Sequence, residues 1–163
     1  MKLISIREAR LADAPALLSL ERKFDRDERQ PALKQNPAIR PYLRASNAKF
    51  STERMRKWLR SRNARVVIAE HNSVPCGFSV AWVATNPGIF RPKRYGFIGI
   101  IFVHQEYRGR KISSLMMKDI YSWFSKRGIK HVFLSVLCDN THARGIYEKW
   151  GFGDFALTMY KTR

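Results

Sequence analysis

Arg108-Gly109-Arg110-Lys111 stands between an apolar run and an amphipathic one, and Ser113 and Ser114 follow it. A short, basic, donor-rich turn at the head of a helix suits an anion. The first amides of a helix have no internal acceptors, and the macrodipole makes that end electropositive. A turn that aims several such amides into one space can hold a phosphate or pyrophosphate. Gly109 allows close backbone approach, and Arg108, Arg110 and Lys111 add charge. Alone, the turn reads first as a solvated basic helix start. A second stretch carries a different chemistry. "NTHARGIYEKWGF", residues 140–152, has Asn140 where a helix cap belongs, Tyr147 on the apolar face and Gly151 as a stop. Tyr147 can give up a phenolic proton, but on its own it reads first as a core aromatic.

These residues need elements to position them. "KLISIREA" alternates as a strand, and Asp13 with Pro15 starts a helix whose apolar stripe is Leu17, Leu18, Leu20 and Phe24. Residues 31–50 carry Pro31, Pro37 and Pro41 and predict a loop region or broken helix. Ser51 suits the N-cap of "TERMRKWLRSR", with Met55, Trp58 and Leu59 inward and cations elsewhere. "ARVVIAEH", the turn "NSVP" and "CGFSVAWVA" predict an antiparallel pair. "TNPGIFRPKR" is an exposed loop, and "YGFIGIIFV" a strand buried on both faces. After the basic turn, Ile112, Leu115, Met116, Ile120, Trp123 and Phe124 give one helix face, which Gly128 ends. "KHVFLSVL" is another buried strand, residues 140–150 a short helix with Ala143, Ile146, Tyr147 and Trp150 on one face, and "FALTMYK" a closing strand. The crossover from 95–103 through a helix to 131–138 is a βαβ unit, so those two strands are parallel.

At 163 residues and 45% apolar composition, the chain suits one domain, 1–163, with a real core. Lys and Arg number 31 against 13 Asp and Glu, a net charge of +18, which favours anionic partners such as nucleic acid or ribosomal surfaces. Cys76 and Cys138 form neither a disulfide framework nor a zinc spacing, so no metal is expected and a reduced, cytoplasmic setting fits. "MKLISIREAR" has too short an apolar run for a signal peptide, and "GFIGIIFV" is far too short to span a bilayer.

Together the two stretches resemble the GNAT superfamily of acetyl-CoA-dependent N-acetyltransferases. In that family a buried strand ends in valine and is followed by Arg/Gln-x-x-Gly-x-Gly/Ala opening a helix; Val103 and "RGRKIS" occupy those places. The family's Asn-x-x-Ala, Tyr and Gly-Phe are matched by Asn140, Ala143, Tyr147, Gly151 and Phe152. The resemblance implies a central mixed, mostly antiparallel α/β (α+β) sheet with a splayed parallel pair and about four flanking helices. It also implies that the pantetheine of acetyl-CoA pairs with backbone around Ile101, Phe102 and Val103. The pyrophosphate would sit on amides from Gly109 through Arg110, Lys111, Ile112 and Ser113 to Ser114, beside Arg108, with Asn140 on the cofactor arm and Tyr147 near the sulfur. Lys111 stands where the family has glycine, and Ser113 where it has Gly or Ala. Amide donation needs no glycine unless the position is crowded or left-handed, so the cradle is expected to survive.

Acetyl transfer needs a neutral amine, a polarised thioester carbonyl and a proton for the departing thiolate. A backbone amide near Val103 can polarise the carbonyl, and Tyr147 can protonate the sulfur. Its reference pKa of about 10, against roughly 8.5 for a thiol, makes that step slightly uphill without help from the site. The family's frequent glutamates correspond to Phe97 and Ser135, neither a base. Glu70, His71, His104 and Glu106 are other candidates, and none is chosen. Glu21, Asp25, Asp27 and Glu28 form an acidic cluster able to hold a cationic amine, whereas the cations around them disfavour polyamines and aminoglycosides. The expected activity is acetyl transfer to a primary amine of a small molecule, peptide or protein. The alternative is a degenerate acyl-CoA-binding relative that binds nucleic acid or a ribonucleoprotein through its basic surface.

Overall fold

In the computed structural model, which describes residues 4–35, 52–87, 91–159 and 161, one strand shows how the layers arise. Val66 and Ile68 face one way, Val67 and Ala69 the other, and all four are buried. That strand therefore has a core on each face, as its period of two requires. It is β2 (Ala64–His71), in a five-stranded sheet of order β1-β2-β3-β4-β5 with β1 (Ile4–Glu8), β3 (Val74–Thr85), β4 (Arg94–Val103) and β5 (Val132–Leu134). All neighbours are antiparallel except β4 and β5, which are parallel. The mixed sheet expected from the sequence is thus present.

On one face lie α1 (Ala14–Phe24) and α3 (Thr52–Arg60), where Leu17, Leu20 and Met55 pack on Val66, Ile68, Phe78 and Phe102. On the other lies α4 (Ile112–Ser125), whose Ile112, Met116, Met117, Ile120 and Phe124 pack on Val67, Ala81 and Ile98. Leu115, expected on this stripe, is 42% exposed and Met117 is buried in its stead. Met117 lies five residues from Ile112 and three from Ile120, inside the broad stripe of a core-facing helix.

Of the loop region or broken helix expected over residues 31–50, the described part, 31–35, is helical. From α1 the chain passes through a π-helical turn (Asp25–Arg29) into α2 (Gln30–Gln35). Proline has no N–H to donate and its ring crowds the carbonyl four residues back; a widened turn just before it accommodates both. With this rod taken as one unit, α3, α4 and α5 (Thr141–Lys149) complete four helical elements among the described residues. The expectations for residues 36–50 and for Ser51 as a cap fall outside the described residues.

Two strands are shorter than expected. β5 covers three residues of "KHVFLSVL", half-buried rather than fully buried. "FALTMYK" is not a strand over its described residues: Phe155 rests on Phe133 at 5.0 Å between ring centroids, while Leu157 and Met159 are 71% and 86% exposed. A strand needs an edge to bond to, and β5 offers only three residues.

Candidate active site

The register of β4 sets up the site. Ala81 pairs with Ile98 and Val80 with Ile100, so Gly99 is an extra residue bulged out of β4. A β-carbon at Gly99 would stand 2.3 Å from the Trp82 ring, so the bulge accepts no side chain as it stands. A bulge bends its strand and sharpens the local twist. Pairing with β5 runs through Gly96–Val132, Phe97–Phe133 and Ile98–Leu134 and stops just before it. Among the described residues, β4 continues to Val103 without a paired strand on that side.

The backbone groups facing the gap follow from the opposite edge. His104 N–H donates to the Cys76 carbonyl of β3 at 2.9 Å. By antiparallel alternation Phe102 also bonds to β3, and Ile101 and Val103 turn their N–H and C=O groups into the gap. The Val103 carbonyl accepts from Arg108 Nε at 3.1 Å. Of the three residues expected to line the gap with backbone, Phe102 is the exception. Its ring is buried on the α1 face, 6.1 Å from Phe78 and 5.6 Å from Phe24.

Beyond Val103, a 3-10 turn (Gln105–Tyr107) leads into the basic segment and α4. Lys111 is the N-cap of α4, with φ 59° and ψ 17°, a left-handed conformation that glycine adopts without strain and lysine does not. The notable glycine replacement therefore falls at a position that needs glycine's freedom, and the backbone adopts that conformation nevertheless. Gly109 is also left-handed, with φ 75°. Lys111 makes no side-chain cap, so the amides of Ile112, Ser113 and Ser114 have neither a cap nor an intrahelical acceptor among the described residues. Arg110 folds back over the Tyr107 ring at 5.5 Å, with Nη1 3.3 Å from His71 Nε2.

The second motif builds α5 and fixes Tyr147. Asn140 Oδ1 accepts the Ala143 N–H at 3.1 Å, so asparagine caps the helix. At the other end Gly151 has φ 86°; its N–H reaches the Glu148 carbonyl, and Phe152 N–H reaches the Tyr147 carbonyl at 3.0 Å. These two bonds are a Schellman cap, which needs a residue at ease with positive φ and favours an apolar contact across it. Phe152 and Tyr147 make that contact, with centroids 6.2 Å apart, and Trp150 flanks the phenol at 5.9 Å. The spacing Tyr-x-x-x-Gly-Phe is thus a clamp on the tyrosine ring. Burial, and secondarily the charge of Glu28, push the Tyr147 phenol above its usual pKa, so it keeps its proton through the neutral range.

Glu28 comes from the π-helical turn. Its Oε1 accepts from Arg108 Nη2, so Arg108 joins this carboxylate to the end of β4. Burial pushes the Glu28 carboxyl up, and the Arg108 charge opposes that. The acidic cluster expected around a cationic amine is divided up. Glu21 is buried and bonded to Arg54, Asp25 is bonded to Arg29, and Asp27 to Arg26. Among the other candidate bases, Glu70 is held by Arg7 and Ser5 on the β1–β2 pair, and His104 Nδ1 lies 3.6 Å from Glu106. Phe97 packs against Trp82 with ring centroids 5.0 Å apart and planes tilted by 31°, and Ser135 is exposed just past β5. Sequence reasoning missed the pairing of Glu28 with Arg108, 80 residues apart. The only local signal is the mixed-charge run Asp25–Arg29 shortly before Pro31. Among the described residues, no His, Cys, Asp and Glu group is arranged to hold a metal ion, and no helix is long and apolar enough to cross a membrane.

The profile of the acetyltransferase (GNAT) family matches residues 28–152. No curated protein sequence is significantly similar to the chain. Solved structures with this fold include a tetramutant of the BH1408 protein from Bacillus halodurans, 18% identical, covering 98% of this chain and 99% of that one at a TM-score of 0.81. Another is the aminoglycoside N-acetyltransferase AAC(6')-Iy in complex with CoA, 15% identical, covering 100% and 96% at 0.74. A third is the ribosomal-protein-alanine N-acetyltransferase from Brucella melitensis biovar Abortus 2308, 18% identical, covering 99% of each chain at 0.67.

Proposed function

Given that the chain belongs to the acetyltransferase (GNAT) family, we propose that it transfers the acetyl group of acetyl-CoA to a primary amine, by direct attack in a ternary complex. The observation that carries this reading is the opening of β4 from β5 beyond Ile98 and Leu134, with uncapped helix amides at one end of the gap. CoA is a long, thin arm ending in a pyrophosphate, and a gap edged by free strand groups and closed by helix amides matches both parts.

In this reading Ile101 and Val103 pair with the pantetheine amides. The amides from Gly109 to Ser114 take the pyrophosphate, with Lys111 and Arg110 adding charge. Asn140 retains its side-chain NH2 for the cofactor arm while its oxygen caps α5. The Val103 N–H polarises the thioester carbonyl, a contribution of about 10²–10³ in rate for one oxyanion donor. Tyr147 protonates the leaving thiolate. The acceptor is a primary amine on a small molecule, peptide or protein. With Glu21, Asp25 and Asp27 each held by an arginine, a multiply charged polycation finds little carboxylate to bind among the described residues.

Isothermal titration with acetyl-CoA tests the binding step, and thiol release across a panel of amines tests transfer. The panel holds sisomicin, spermidine and a peptide with N-terminal alanine. Saturable binding, with acetyl-CoA-dependent thiol release on at least one amine, is expected. No binding at millimolar acetyl-CoA refutes the reading.

A further inference from the structure

One guanidinium joins the two halves of the proposed reaction. Arg108 donates through Nη2 to Glu28, on the π-helical turn, and through Nε to the Val103 carbonyl at 3.1 Å. The neighbouring carboxylates on that rod are held by Arg54, Arg29 and Arg26, none of which belongs to the cofactor turn. Glu28 alone among them takes its counter-ion from the turn that would bind a pyrophosphate.

That sharing has a chemical consequence. A pyrophosphate offers a guanidinium several anionic oxygens in bidentate geometry and displaces a single half-exposed carboxylate. Glu28 is then left without Arg108, partly desolvated, with its charge felt by Tyr147 and by Asp27 and His142. A carboxylate so placed attracts an ammonium. Resting on the acetyl-transfer reading above, we propose that Glu28 is the acceptor-side carboxylate, held by Arg108 in the free protein and released when the cofactor pyrophosphate takes Arg108. Released Glu28 pairs with the ammonium of the incoming amine and removes one proton. The freed nitrogen lone pair forms the C–N bond, and the C–S electron pair leaves on sulfur. Tyr147 protonates that sulfur and recovers a proton from the acetylated nitrogen. The proton on Glu28 passes to solvent, so one proton is released per acetyl transferred.

The release step is tested without an acceptor. Acetyl-CoA titrations are run on the parent, Glu28→Gln, Arg108→Gln and the double variant, with thermal melts confirming that each is folded. Glu28→Gln is expected to tighten acetyl-CoA by up to about fivefold, the ceiling for an exposed ion pair. In the Arg108→Gln background the tightening should shrink, because only the through-space repulsion between Glu28 and the pyrophosphate is then relieved. S-acetylpantetheine, which has no pyrophosphate, should bind parent and Glu28→Gln alike. Tightening that is equally large without Arg108 overturns the exchange. The amine step is read by carboxyl ¹³C NMR with methylammonium as probe. The Glu28 resonance, identified by its loss in Glu28→Gln, should move with methylammonium only when CoA is bound. Movement in neither state, or equally in both, overturns the assignment. Absence of acetyl-CoA binding by the parent brings down the acetyl-transfer reading itself. Failure of the exchange alone leaves that binding intact.

Discussion

Lys111→Gly should stabilise the free protein and weaken cofactor binding together, because the native side chain has two opposed effects. Lysine at φ 59° is in the left-handed region, which costs a side-chain-bearing residue about 1–2 kcal/mol. Glycine relieves that but makes the unfolded chain more flexible, returning about 0.5–1 kcal/mol. The balance is a gain of about 0.5–1 kcal/mol, or roughly 1–4 °C in Tm for a domain of this size. Lys111 is exposed at the head of α4, next to the uncapped amides. Losing its charge beside a bound pyrophosphate should weaken acetyl-CoA by up to about fivefold, with a shallower salt dependence. Lys111→Ala separates the two effects. It keeps the β-carbon and the strain but drops the charge, so it should lose the same affinity with no gain in Tm. Scanning calorimetry of the free proteins and titration at two salt concentrations read both quantities. A Tm for Lys111→Gly at or below that of Lys111→Ala refutes the strain argument. Unchanged affinity in both variants refutes the role of the charge.

Tyr147→Phe keeps the ring clamped by Phe152 and Trp150, so acetyl-CoA affinity should hold while turnover falls about 10²–10⁴-fold; a rate within twofold of the parent makes the phenol structural. Asp13 is held down to about pH 2 from 3.8 by the Arg7 guanidinium, so its stabilisation is present above pH 3.8 and lost as pH falls toward 2. Discounted for solvent at the partly exposed Arg7, Asp13→Asn should cost about 1 kcal/mol at pH 7 and almost nothing at pH 2, read by urea melts at the two pH values. Gly96→Ala puts a methyl 2.5 Å from the buried Phe124 ring and should destabilise by about 1–3 kcal/mol, read by the same melts.

The parts of the fold that were legible in the sequence are those fixed by local rules. Apolar, β-branched runs on either side of a turn located β2 and β3, and Asn72-Ser73, both at positive φ, make the two-residue turn between them. Gly128 and Gly151 end α4 and α5 because each cap needs positive φ. What failed depended on partners. The closing segment alternates like a strand, but a three-residue β5 gives it no edge. Pro31 punctuates a helix in any local reading, yet a π turn absorbs it. In the candidate site, the motif residues stand at its two ends. The bulge that opens the gap is set by where Trp82 of β3 lies over Gly99, a contact that no spacing within β4 records.

The surplus positive charge also has a specific distribution. Many of the described carboxylates are engaged by arginine: Asp13 and Glu70 by Arg7, Glu8 and Asp119 by Arg65, Glu21 by Arg54, Asp154 by Arg144. Few carboxylates remain to offset the exposed Arg56, Lys57, Arg60, Arg110 and Lys111 at the surface. A positive field of that kind draws in a polyanionic cofactor and repels a polycationic acceptor. On the proposed reading, a local negative charge would help an ammonium enter against that field. If that charge were uncompensated before the cofactor arrived, it would oppose the pyrophosphate. The proposed exchange would meet both demands, because Glu28 is masked by the same arginine that the pyrophosphate would claim.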